Sequence, residues 1–296
     1  MPRSHIIFGP PGTGKTTRLL DILEQKLIQK VDPKQTCFIT FTRRGISEAK
    51  TRAYSKFRLT APQTDFWRTL HSLAFRHLKL RSSVIIQNSD YIELSALLGI
   101  HLKGTCSYEE AFIPGMPIGN KLFFLENLAR LKQEPLKKTW EEYDDESVYW
   151  DELEEVAKKY KKYKQYRGIL DFTDILERFA MDKYISNFPK INTLIIDEAQ
   201  DLSKLQWTIV HKLLNFAEVT YVAGDDDQAI YNWAGADVQS FLEFPGDPEI
   251  LSQSYRLPRE IRDLGHGIIQ GIASRKLKPF KAKPGSGSIQ WIVDEE

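Results

Sequence analysis

The sequence predicts an α/β fold, a parallel sheet flanked by helices and interrupted by a mostly helical insertion. Three observations lead there. Gly9-Pro10-Pro11-Gly12-Thr13-Gly14-Lys15-Thr16 stands between a short apolar run, Ile6-Ile7-Phe8, and a helical pattern of Leu19, Leu20, Ile22, Leu23 and Leu27. Further apolar runs of buried-strand length recur at residues 36–41, 193–196 and 219–224. From about residue 82 to 165 the texture changes to helical periodicity and blocks of charge.

The glycine-rich stretch is the GxxxxGK[ST] pattern in its required context of strand, loop and helix. Glycines let successive backbone N–H groups turn inward, and the following helix points its positive end at the same place. The occupant this suits is a nucleoside triphosphate. Lys15 is placed to reach the β- and γ-phosphates and Thr16 to set its hydroxyl on Mg²⁺.

Composition narrows the class. The 296 residues, 42% hydrophobic and 27% charged, suit one large or two modest globular domains. A net charge of +1 offers no bulk attraction for nucleic acid, so such a site must be a local patch. Cys37 and Cys106 form no CxxC pair and read as free thiols in a reducing compartment, and the histidines have no zinc spacing. No apolar run approaches the roughly 20 residues that span a membrane, and the N-terminus lacks a signal-peptide pattern. A cytoplasmic protein with no membrane partner is expected.

In chain order, Thr36–Phe41 reads as a second buried strand, followed by a helix over about 44–58. Thr69–Phe75 sits in or beside another helix. A loop with Pro114, Gly115, Pro117 and Gly119 precedes a helical pattern through Leu122, Leu125, Leu128 and Leu131. The basic run Lys158, Lys159, Lys161, Lys162, Lys164 and Arg167 is interleaved with Tyr160, Tyr163 and Tyr166. Leu153, Val156, Ala157, Tyr160 and Tyr163 fall on one helical stripe, so the lysines are expected in water rather than on nucleic acid.

Thr193–Ile196 is a buried strand ending in Asp197-Glu198-Ala199-Gln200-Asp201. Carboxylates at the carboxyl end of a strand, downstream of a phosphate loop, suit a metal and an attacking water. Asp197 is the candidate metal ligand and Glu198 the candidate base. Val219–Gly224 is another strand, ending in Asp225-Asp226-Asp227-Gln228. Gln228 can hydrogen-bond a γ-phosphate or the water. Tyr231 and Trp233 alternate beyond it, either as faces for stacked bases or as core. A strand over Glu249–Ser254 leads to Tyr255-Arg256-Leu257-Pro258, where Arg256 can serve as a transition-state cation, and Ile289–Val293 looks like the start of another strand.

As a set these motifs resemble the UvrD/Rep-like superfamily 1 helicases. The residues are GPPGTGKTT (Gly9 to Thr17), FITFTRRGISEAK (Phe38 to Lys50), TLHSLAF (Thr69 to Phe75), LDFTDIL (Leu170 to Leu176), IDEAQD (Ile196 to Asp201), AGDDDQAIYNWAGA (Ala223 to Ala236) and LSQSYRLP (Leu251 to Pro258), all in family order. The resemblance implies a RecA-like P-loop domain in two segments, 1–76 and 166–275. A helical accessory insertion would occupy 77–165 and the start of a second RecA-like domain 276–296. It implies DNA-dependent ATP hydrolysis with Mg²⁺ and 3′ to 5′ movement on single-stranded or partly duplex DNA. Lys15, Glu198, Gln228 and Arg256 would be catalytic. Gly12, Thr13, Gly14, Lys15, Thr16, Thr17, Arg43, Tyr255 and Arg256 would bind the nucleotide, with Tyr255 stacking on adenine. Thr16 and Asp197 would hold the metal. Phe41, His71, Tyr231 and Trp233 would line the DNA track.

The sequence departs from the family in three places. The adenine-reading glutamine motif has no counterpart upstream of the first strand, and Ala234 stands where the family often has arginine. The later motifs of the second RecA-like domain are not in this sequence, which implies that a missing C-terminal portion or a second chain supplies that domain. Two other readings compete: an ATP-responsive single-strand DNA-binding module without turnover, and an RNA-directed motor, which TLHSLAF and GDDDQ disfavour.

Overall fold

The structure is a computed structural model describing residues 3–102 and 116–292. Cys106, Pro114, Gly115 and Val293 lie outside the described residues. The strands are β1 (Arg3–Phe8), β2 (Thr36–Thr40), β3 (Trp67–Arg68), β4 (Ile191–Asp197), β5 (Ala217–Gly224) and β6 (Asp247–Ile250). They form one parallel sheet in the order β3-β2-β4-β5-β1-β6. The expected α/β fold is therefore present.

Helices cover both faces of the sheet. Ile6, Phe8, Ile39, Leu194, Ile196 and Val222 pack on one side with α3 (Leu70–His77), α8 (Phe172–Ala180) and α10 (Lys204–Leu213). Ile7, Phe38, Ile195 and Ala223 point the other way, against α1 (Lys15–Ile28) and α2 (Arg43–Phe57). This alternation is the period-two pleat, with both faces apolar because both are covered. Cys37 is buried here as a free thiol, and burial pushes it up to about 12.

Two expected strands are corrected. The strand placed at Glu249–Ser254 is instead Asp247–Ile250. Beyond it the chain leaves the ladder to dock on the glycine loop, where Ser254 Oγ donates to Pro11 O at 3.0 Å and Tyr255 N to Gly12 O at 2.8 Å. Residues 289–292 form no strand, and Trp291 and Ile292 are exposed.

Between α3 and α8 the chain builds α4 (Asn88–Leu98), α5 (Ile118–Lys132), α6 (Leu136–Tyr143) and α7 (Trp150–Arg167). Gly119 lies inside α5 and Pro117 caps it. These helices share their own apolar cluster, including Leu94, Leu122, Leu125, Leu153, Val156 and Tyr160. A parallel bridge pairs Ile85 with Leu170 where the chain leaves and returns.

Ion pairs fix these helices to the sheet body. Arg130 of α5 reaches Asp171 at 2.8 Å, Asp174 at 2.5 Å and Glu177 at 2.8 Å, with Glu126 at 3.5 Å. Lys164 of α7, expected in water, is buried against Asp171 and, at 2.7 Å, Asp174. Its neighbours Lys158, Lys159, Lys161 and Lys162 are exposed as expected. Asp171 caps α8 by accepting from Asp174 N at 2.7 Å. Burial works against the Asp171 charge, but Arg130 and Lys164 outweigh it and hold this carboxyl below its usual range. Removing one side of such a buried network strands the other and costs about 3–5 kcal/mol. Arg130→Met should therefore lower stability in urea denaturation by about that much. A loss below about 1 kcal/mol would show that these carboxylates do not need the guanidinium.

Candidate active site

The phosphate loop follows from its glycines. Gly12 and Gly14 sit at φ 73° and 85°, in the left-handed region that glycine tolerates. Gly12 also permits close approach, because a Cβ there would lie 2.4 Å from Arg256 Cβ. Gly14 immediately precedes α1, so the helix N-terminus faces the loop. Thr13 Oγ1 donates to Pro10 O at 2.7 Å, and Lys15 Nζ donates to Gly9 O at 2.9 Å. Thr17 lies in the first turn of α1.

Across the sheet edge, Thr16 Oγ1 donates to Asp197 Oδ2 at 2.8 Å, joining α1 to the end of β4. A hydroxyl and a carboxylate oxygen in contact are hard donors of the kind Mg²⁺ prefers, so these two residues would hold it. Burial, then the neighbouring Glu198, raises Asp197 to about 6, against the Thr16 hydrogen bond and Lys15. Glu198 holds a left-handed backbone, φ 54°, ψ 45°, with its N–H on Asp197 Oδ1 at 3.0 Å. Such strain in a non-glycine residue is a feature of functional sites.

From Glu198 a hydrogen-bond chain crosses to β5. Gln200 Nε2 donates to Glu198 Oε2 at 3.0 Å, and Gln200 Oε1 accepts from Asp225 N at 3.0 Å. Asp225 Oδ2 in turn accepts from Gln228 Nε2. Tyr255 and Arg256 are exposed beside Gly12.

Phe41, Arg43 and His71 line one groove of about 710 Å³ together with Lys50, Arg68 and Phe172. Arg43, grouped with the nucleotide on sequence, is found here beside His71. Tyr231 packs on Phe41 with ring centroids 5.6 Å apart. Burial lowers His71 to about 4, Arg43 pushing the same way and Asp171 opposing, so it is a neutral imidazole near pH 7. Trp233 leans toward the insertion, 6.3 Å from Phe124 and 6.4 Å from Tyr231, partly buried against the insertion's apolar cluster.

The family model for the UvrD/REP helicase N-terminal domain matches residues 2–249. The chain belongs to that family. The ATP-dependent DNA helicase PcrA of Staphylococcus epidermidis is 30% identical to it over an alignment of 312 residues, covering 97% of this chain and 41% of that protein. The PcrA helicase of Staphylococcus aureus is 30% identical over 299 residues, covering 92% and 39%. The chain thus spans about two fifths of the length of these relatives. VirB4 of Thermoanaerobacter pseudethanolicus, at 12% identity and a TM-score of 0.31, is too distant in structure to inform the fold. No described helix of this UvrD/REP-family chain is long and apolar enough to cross a membrane.

Gln200 stands within IDEAQD, where the motif alone assigns it no role. Its signal was burial: a 3% exposed amide between two acidic loops has to bond both. Asp201 is a second such case. Burial, then Glu198, raises it to about 7, well above its usual range. A raised folded-state value means that the folded protein binds the extra proton, so this carboxylate costs stability progressively as pH rises from about 4 to 7. Asp201→Asn should therefore raise the melting temperature of the nucleotide-free protein at pH 8 and do little at pH 4. An equal shift at both pH values would show that the Asp201 charge is not the cause.

Proposed function

We propose that this chain is the ATP-binding and hydrolysing half of a DNA helicase or translocase that moves 3′ to 5′ along single-stranded DNA. The observation carrying this reading is the unbroken path from Thr16–Asp197 through Glu198, Gln200 and Asp225 to Gln228, on the loop whose Tyr231 touches Phe41 in the groove. A nucleotide site and a candidate single-strand site thereby share one set of strand ends.

Each residue then has a task. The N–H groups of Gly12 and Gly14 and the Lys15 amine cradle the phosphates, Thr13 braces the loop around them through its N–H and hydroxyl on Pro10 O, and Thr17 continues the helix start behind them. Thr16 and Asp197 hold Mg²⁺, which when bound neutralises phosphate charge. Glu198 orients a water and takes its proton. Gln228 donates to the γ-phosphate, Arg256 offers a cation to it and Tyr255 stacks on the base. Phe41 and Tyr231 stack on DNA bases, His71 offers a neutral hydrogen-bonding edge, and Trp233 supports that loop from the insertion side. Arg43 serves the groove's phosphates.

A second RecA-like domain, from further sequence or another chain, would close on Tyr255 and Arg256 to turn hydrolysis into a step. Residues 77–165 are read as the accessory insertion between the two segments of the first domain, with 276–296 leading into the second. ATP and DNA as substrates put its work in the cytoplasm.

Lys15→Ala should abolish ATP binding, followed by a fluorescent nucleotide titration, because the phosphates lose their cation. Unchanged affinity would remove the phosphate-loop assignment. Phe41→Ala should weaken single-strand DNA binding by about 1–3 kcal/mol while leaving ATP binding and melting temperature in place. Unchanged DNA affinity would take the groove out of the DNA track.

A further inference from the structure

The acids at the end of β5 are neutralised by a strap from far along the chain. After α12 (Arg259–Ile269) the backbone returns across the end of β5. Lys281 N donates to Ser252 O at 2.7 Å and Ser254 N to Lys281 O at 2.9 Å, which pins the strap beside the segment docked on the phosphate loop. Arg275 grips Asp227 with two hydrogen bonds, at 2.6 and 2.8 Å. Lys276 N donates to Asp226 Oδ2 at 2.6 Å. Lys278, its side chain fully buried, places Nζ 3.0 Å from Asp225 Oδ1 and 3.1 Å from Asp227 Oδ2, and also against Asp226 Oδ1. Burial works against the Lys278 charge, but Asp225 and Asp226 outweigh it and raise its pKa.

Asp225 has two oxygens with different duties. Oδ1 faces Lys278, and Oδ2 accepts from the Gln228 amide. The carboxylate holds one N–H of Gln228 Nε2, which fixes the amide in one orientation and leaves the second N–H of the same nitrogen for the γ-phosphate. Without the lysine, the buried Asp225 carboxylate loses the cation on Oδ1 and keeps the Asp227 N–H and the Gln228 amide as its side-chain partners, so nothing charged holds it in the orientation that anchors the amide.

We propose that Lys278 is a positioning residue for Gln228: through Asp225 it fixes the amide that senses the γ-phosphate, so the strap 275–281 is part of the triphosphate-recognition site. The inference rests on the reading of Gln228 given above. It predicts a loss confined to recognition of the third phosphate, which a purely structural clamp would not produce.

The test is a titration of the full chain with Mg²⁺ and either ATPγS or ADP, beside thermal melting. The wild type should prefer ATPγS, and Gln228→Ala should cut that preference about tenfold, the worth of a hydrogen bond to a charged group. Lys278→Met should cut it by a similar factor with ADP affinity unchanged, and the double variant should lose no more than either single one. If Lys278→Met does not fold, Asp225→Asn, which leaves Lys278 two carboxylates, decides on the same readout. A wild type without the preference, or one whose preference survives Gln228→Ala, overturns the reading of Gln228 and the inference together. A preference lost in Gln228→Ala but kept in folded Lys278→Met or Asp225→Asn overturns the inference alone.

Discussion

A carboxylate at the buried edge of a sheet must be matched by positive charge or give up its own. The structure turns on how the ends of β4 and β5 meet that demand. At β5 the protein supplies its own cations, with Arg275 and Lys278 carried some fifty residues through the chain to Asp225, Asp226 and Asp227. At β4 it does not. Asp197 has a threonine hydroxyl, a backbone N–H and a more distant Lys15, and it rises to about 6, while Asp201 rises to about 7. The neutralised edge holds Asp225 and, through it, the Gln228 amide in place. The edge left short of positive charge is where an external cation gains most by binding.

The same constraint recurs where the helical insertion meets the sheet. Arg130 and Lys164 come from the insertion, and Asp171, Asp174 and Glu177 from the helix that resumes the α/β body. Breaking such a network costs more than its net contribution to stability, so it secures one orientation of the insertion. Phe172, next to the Asp171 cap, meets His71 edge-on at 6.0 Å in the groove. The joint and the groove therefore share a helix start.

Much of this was legible in the sequence because it is local. Ile6–Phe8, Thr36–Thr40, Thr193–Ile196 and Val219–Gly224 announced themselves as short runs between turn signals, and the Gly9–Thr16 loop carries its conformation in its glycines. The failures have a common physical source in pairing over long sequence distance. Lys164 lies in a run of solvated lysines, and only its fold neighbours Asp171 and Asp174 mark it as buried. The last strand of the sheet was set two residues late: Leu251 N still donates to Phe8 O at 2.8 Å, and only beyond it does the chain turn to the loop contact made by Ser254 and Tyr255. Gln200 and Lys278 act through residues 25 and more positions away, where no sequence period reaches. Trp233 was ambiguous between stacking face and core, and it is partly buried, packed toward Phe124 of the insertion.

The most direct measurement is ATP hydrolysis by this chain with and without single-stranded DNA, beside Glu198→Gln. A base at Glu198 in a DNA-coupled site predicts turnover that DNA stimulates and that the substitution abolishes, with ATP binding intact in both proteins. ATP that is bound but never turned over, with DNA or without it, or turnover that survives Glu198→Gln, would contradict the account.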